Sequence, residues 1–256
     1  AASMTSGGSS GSPVINREGT AIALNAGGSR KAASSFFLPL DRPVRALKFL
    51  QQGETVPRGT IQTIFLHETY DEIRRLGLNP KVEEEVRKCN SEGTGMLTVS
   101  KPVKKGPGDK FLKPGDILVR VNSELILDFI CLEEIIDSNV GQSISVEIDR
   151  AGEQKIFDIP VQDLYSICPS SYLEFGGGSI NQLSYQFAIN YGVPVEGIVV
   201  ANPGYLLRDT GLSKRSVITQ IGNTKVPDLD TFEKVISSYP NESFVPVKHW
   251  HLDSKH

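Results

Sequence analysis

The sequence predicts a mainly β protein with short helices, an α+β arrangement divided into several small domains. Three observations lead there. Short β-type runs alternate with Gly-, Pro- and Asn-containing turns along most of the chain; helical spacing of apolar residues is confined to brief stretches; and one strand–turn–helix pattern recurs after about a hundred residues. At 256 residues with 39% apolar content, the chain can build two or three domains, each with its own core.

The elements follow in order. Pro13-Val14-Ile15, a turn over Asn16 to Gly19, Ala21 to Leu24 and Phe36 to Leu40 read as strand, hairpin, strand, loop and strand. Val44, Leu47 and Leu50 then recur at helical spacing, with Asp41 as a candidate cap and Gly53 as a stop. A polar stretch with Gly and Pro, Gln51 to Gly59, reads as a linker. Beyond it come a strand near Ile61 to Leu66, a helix-like stretch from Tyr70 to Leu76, a charged stretch Lys81 to Lys88 and a strand Gly95 to Val99. A Gly/Pro loop, a strand Asp116 to Val121, a helix Phe129 to Ile136 and a strand Ser143 to Ile148 complete a unit expected to be a small, partly open β-barrel with capping helices.

A shift of 100 residues lays Ile117, Leu118 and Val121 on Val217, Ile218 and Ile221, Asp128 on Asp228, and Leu132 and Ile136 on Phe232 and Ile236. With a slip of two residues, Gly95 to Val99 also matches Gly197 to Ala201. So long a period reads as a duplicated domain, not a solenoid. In the second copy, a loop is expected near Glu174 to Gly178 and a helix over Asn181 to Tyr191.

Charge and cysteine content exclude several classes. With 27 basic against 30 acidic residues, nothing asks for nucleic acid or an acidic membrane surface as partner. Cys89, Cys131 and Cys168 are odd in number and widely spaced, which speaks against a disulfide framework and a zinc site and for a reducing, intracellular compartment. No apolar run reaches the roughly 20 residues that a membrane helix needs. His249 and His251 sit two apart with no acid or cysteine at ligand spacing, so a solvated strand face is expected, not a metal site.

The sharpest local signal is Gly8-Ser9-Ser10-Gly11-Ser12-Pro13-Val14. A flexible tether has this composition, but so has a tight turn that presents a serine, and a tether has no reason to lead into a hairpin. The segment resembles the Gly-x-Ser-Gly-Gly-Pro nucleophile loop of chymotrypsin-fold proteases, in particular of the HtrA family, with Ser12 where the family usually has Gly. The resemblance implies Ser10 as nucleophile and the N–H groups of Gly8 and Ser10 as oxyanion hole, in the closing part of a trypsin-like barrel over residues 1–53. It also implies a partly built apolar specificity pocket from Met4, Leu24 and Ala26. In chymotrypsin order the base histidine and its aspartate precede the serine. Neither residue occurs before Ser10, and His67, His249, His251 and His256 all follow it, so the chain is expected to be part of a longer enzyme and inactive alone.

Gly106-Pro107-Gly108 followed by Leu112-Lys113-Pro114-Gly115-Asp116-Ile117-Leu118 resembles the PDZ pattern of HtrA proteases; in the second copy its Gly-Asp turn is replaced by Lys214-Arg215-Ser216. The resemblance implies a PDZ-like domain over 54–163 and a divergent, truncated one over 164–256. A PDZ domain binds peptide by strand addition and holds the terminal carboxylate in a nest of backbone N–H groups. The corresponding loop here is Arg58-Gly59-Thr60-Ile61-Gln62, with Gly59 as the permissive residue and Arg58 as the favourable charge.

Ser6 to Val14, Phe36 to Arg42, Tyr70 to Leu78 and Val226 to Phe232 are similar to one branch of the family, the fungal nuclear, pro-apoptotic HtrA-like proteases. That branch implies protein or peptide substrates, no cofactor, a nuclear location with some cytoplasmic protein, roles in cell death and lipid homeostasis, and possible oligomers. The competing reading is a non-catalytic tandem-PDZ scaffold with a vestigial serine loop.

Overall fold

The computed structural model describes residues 8–29 and 34–254, and the chain divides into two compact units, residues 1–57 and 58–256. In the first unit, β1 (Pro13–Ile15), β2 (Ala21–Ser29) and β3 (Ser34–Pro39) form an antiparallel sheet in that order, followed by α1 (Asp41–Gln51). Asn16 closes the first hairpin by accepting the N–H of Glu18 and Thr20 on its side chain. Asp41 is not the cap expected of it. It is the first residue of α1, and Leu40, at the cap position, offers no side-chain acceptor. Gly53 does follow the helix end, at φ +74°.

The second unit begins with β4 (Gly59–Thr60), β5 (Thr63–Thr69), α2 (Tyr70–Arg75), α3 (Pro80–Cys89), β6 (Gly95–Pro102), β7 (Ile117–Val121), β8 (Glu124–Leu125), α4 (Phe129–Ser138), β9 (Ser143–Arg150), β10 (Glu153–Pro160) and β11 (Gln162–Asp163). Among the described residues the sheet runs β10-β9-β7-β6-β5, with β8 on β7, while β4 pairs separately with β11. Its ends do not meet, so it is an open sheet and not a closed barrel. The stretch Lys81 to Lys88, noted only for its charge, is helical. Asn79 caps it through the N–H of Lys81, Pro80 opens it, and Val82 and Val86 are buried beside Tyr70 and Ile73.

The remainder holds β12 (Leu173–Phe175), β13 (Gly178–Gln182), α5 (Tyr185–Tyr191), β14 (Ile198–Asn202), α6 (Leu206–Asp209), β15 (Ser216–Ile221), β16 (Thr224–Lys225), α7 (Leu229–Ser237) and β17 (Val247–His251). The order is β12-β13-β14-β15-β16, with β17 on β15. The helix expected over Asn181 to Tyr191 is shorter, because its first residues belong to β13; Ser184 starts α5 by accepting the N–H of Phe187.

The duplication is visible in the caps. Asp128 accepts the N–H of Cys131 at the start of α4, and Asp228 accepts that of Thr231 at the start of α7, at 2.9 and 2.8 Å. The copies part at the turn before β7 and β15. Asp116, 1% exposed, takes both Arg150 Nε and Nη2, at 2.7 and 2.8 Å, and the N–H of Lys113. Ser216 retains only the counterpart of that last bond, from Ser213, and Arg215 adopts φ +72° where Gly115 has φ +89°. The copies also share a small core in which Val103 packs with Leu183, Ala188 and Val199, and Lys101 Nζ donates to the carbonyl of Ile189 at 2.7 Å.

Candidate functional site

Ser10 is exposed on a turn bolted to β2. Gly8 and Gly11 adopt φ +95° and +84°, a region where a side chain is strained, so the reversal around the serine depends on glycine. Gly11 N donates to Asn25 O at 2.7 Å, Asn25 N to Ser12 O at 2.9 Å and Ser12 N to Ser9 O at 3.2 Å. The buried Asn25 side chain adds bonds from Nδ2 to the carbonyl and hydroxyl of Ser9, at 3.0 and 2.9 Å. Its Oδ1 has no hydrogen-bond partner among the described residues. Asn25 thus holds the turn from the facing strand, and nothing in the local sequence marks it for that task. Met4, expected in the specificity pocket, lies outside the described residues; Leu24 is half-buried and Ala26 exposed.

The sequence of residues 1–57 contains no histidine. His67 lies on β5, and His249 and His251 lie on β17, where His251 Nε2 is 2.9 Å from the carbonyl of Lys214; His256 lies outside the described residues. No cluster of acids, cysteines and histidines suited to a metal occurs among the described residues.

In the second unit, β5 is an edge strand, and a cleft of about 240 Å³ opens beside it toward α4. Phe65 of β5, Phe129, Leu132 and Ile136 of α4, and Ile61 supply its apolar lining. The segment from Arg58 to Gln62 lies at one end, but differs from the expected nest. Thr60, Ile61 and Gln62 are buried. Gly59 is not the left-handed residue; Gln62 is, at φ +50°. Glycine is required at 59 because a Cβ would stand 2.3 Å from the carbonyl oxygen of Ile136 in the last turn of α4. That approach lets Gly59 N donate to Asp137 Oδ1 at 2.8 Å, with Arg58 Nε 3.9 Å from the same oxygen. Thr60 Oγ1 accepts Gln62 N at 2.9 Å, and Tyr185, whose phenol burial pushes up from its ordinary value, lines the same cleft as Thr60. Asp137 and Tyr185 were not identified from the sequence, since both reach this end from far along the chain.

The corresponding edge of the second copy is closed. The loop expected near Glu174 to Gly178 is a hairpin, with Leu173 opposite Ile180 and Phe175 opposite Gly178. Its strand β12 lies along β13, and the Phe175 ring meets the ring of Phe232 on α7 edge-on at 5.7 Å. Leu173 and Phe175 pack on the core that α7 completes, so side chains of the chain itself lie where the first copy has an open cleft.

A PDZ-like domain family pattern matches residues 166–242. The whole chain aligns at 44% identity with Protease Do-like 7 of Arabidopsis thaliana, covering 24% of it. It aligns at 42% identity with the pro-apoptotic serine protease NMA111 of Eremothecium gossypii and at 43% with the PDZ domain-containing protein C23G3.12c of Schizosaccharomyces pombe, covering 26% of each. A looser likeness, TM-score 0.40 at 18% identity over 59% of this chain and 44% of the other, is to the HtrA-type protease AlgW with decapeptide. The chain spans about a quarter of the length of the curated relatives it matches. Through that quarter it is similar, from end to end, to proteins named Protease Do-like 7 and pro-apoptotic serine protease NMA111.

Proposed function

We propose that this chain supplies the nucleophile-bearing end of a serine endopeptidase, residues 1–53, and two PDZ-like domains, 54–163 and 164–256, that select or gate its substrates. The observation that carries the reading is the Ser10 turn: two left-handed glycines and a strand-borne asparagine hold an exposed serine against a β-hairpin, in a chain aligned end to end with proteins named serine proteases. Ser10 attacks the scissile carbonyl, and the N–H groups of Gly8 and Ser10 receive the oxyanion. Large apolar side chains of this unit, Phe36, Phe37, Leu47 and Leu50, stand exposed; barrel strands from elsewhere in a longer enzyme would cover them.

The chain alone does not hydrolyse peptides, because the stretch that bears Ser10 has no histidine to serve as base. A fluorogenic peptide assay on the purified chain is expected to show no turnover above its Ser10→Ala variant; Ser10-dependent turnover refutes this. In the longer enzyme, a fluorophosphonate probe is expected to label Ser10, and failure to label it favours the non-catalytic tandem-PDZ scaffold. The first PDZ-like domain is the peptide-binding one, since its sheet edge faces an open cleft while β12 covers that of the second. The relatives named pro-apoptotic support a role in cell death; a nuclear location is what the family resemblance implies, and imaging of a fluorescent fusion tests it.

A further inference from the structure

We infer that the cleft between β5 and α4 takes the interior of an extended peptide and does not read a terminal carboxylate. This rests on the reading that the first PDZ-like domain binds peptide. A nest binds a carboxylate by offering converging backbone N–H groups, and two of this loop's, those of Gly59 and Gln62, already have acceptors within the chain. Asp137, 5% exposed, places its own carboxylate on Gly59 N and lies beside Arg58, the cation that the loop would offer a ligand. Thr60 Oγ1 holds Gln62 N, and Tyr185 of the second copy lines the same end of the cleft. Leu164 N donates to the carbonyl of Arg58, which fastens the loop from a further side. An incoming carboxylate would find the N–H groups of Gly59 and Gln62 taken and a buried like charge beside it.

What the cleft still offers suits a strand without a charged end. β5 presents a sheet edge for main-chain pairing, and Phe65, Leu132 and Ile136 can receive an apolar side chain. The ligand class is therefore an uncharged stretch of extended chain with an apolar anchor, as occurs inside an unfolded or looped substrate.

The test is an array of random heptapeptides, each synthesised both as free acid and as carboxamide, probed with the intact chain; hits are then measured by fluorescence anisotropy. Acid and amide forms are expected to bind within twofold of each other. In Asp137→Ala, which frees Gly59 N and Arg58, the acids are expected to gain about tenfold over the amides, as a charge-assisted hydrogen bond would supply. Thr60→Ala, which frees Gln62 N, is a second variant expected to shift preference the same way. Acids binding the unaltered chain more than about tenfold tighter than amides overturn the inference and leave peptide binding intact. Absence of binding in both forms overturns the inference together with the reading beneath it.

Discussion

Gly59→Ala tests the geometry on which the loop end of the cleft depends. The added methyl would stand 2.3 Å from Ile136 O and 2.8 Å from Ile136 C and Cγ2. A carbon–oxygen contact relaxes to roughly 3.3 Å, so β4 and the last turn of α4 must separate by about 1 Å. That movement stretches the 2.8 Å bond from Gly59 N to Asp137 Oδ1 past hydrogen-bonding range. A lost bond to a charged acceptor costs about 1.5–3 kcal/mol, and overpacking adds about 1–3 kcal/mol. A net loss of about 2.5 kcal/mol is the sum of the two lower bounds, or about 70-fold in the opening equilibrium. Hydrogen exchange followed by mass spectrometry should show that loss at amides of β4, β11 and the end of α4, with smaller changes in β15 and β17. Asp137→Ala should reproduce only the hydrogen-bond part. If Gly59→Ala changes protection there by less than about fivefold, below the smallest single cost above, β4 and α4 are not held at this distance and the reasoning fails.

Further perturbations probe other sites. Asp116→Ala leaves Arg150 without its buried partner and should destabilise the first sheet by about 3–5 kcal/mol, with Asp116→Ala/Arg150→Met costing less than the two single changes summed; strict additivity in urea unfolding would contradict a coupled pair. Hydrogen bonds from Arg74, and then Arg87, hold the Glu83 carboxyl below its ordinary value of 4.5. Its contribution is therefore complete above that pH and is lost as pH falls through the lowered value, so Glu83→Gln should flatten the acid limb of stability against pH. Asn25→Ala removes both side-chain bonds to Ser9 and should raise exchange at Gly11 and Ser12 by about tenfold, a loss of roughly 1–2 kcal/mol; unchanged exchange would mean the turn holds without it. Burial, with Asp128 and Glu124 nearby, pushes the Cys131 thiol up, so iodoacetamide should modify exposed Cys89 first near neutral pH, as peptide mapping can show.

Consecutive residues encode what is local, and that part was legible. The turn at Asn16, the helix from Phe129, the strands around Gly95 and Ile117 and their second copies could be read from spacing, because turns and periodicity act over a few residues. The caps could not: one was expected at Asp41, which is not a cap, and none at Asp128 or Asp228, which are. The glycines of the serine turn were legible for the same reason. Where local signals were mixed, the reading failed. Lys81 to Lys88 displays its charges, and only the burial of Val82 and Val86 against Tyr70 and Ile73 makes it a helix of the core.

The binding properties of the two copies were decided in three dimensions. Asp137 is 78 residues from Gly59, and no pattern in either segment announces that one will place its carboxylate on the N–H of the other. Leu173 and Phe175 look like any short apolar run until β12 folds along β13 and fills the space that stays open beside β5. Which strand occupies a sheet edge depends on competition among chain segments for the same unpaired N–H and C=O groups. That competition is settled by which segment can close its loop and bury its side chains, a property of the assembled fold and not of any one stretch.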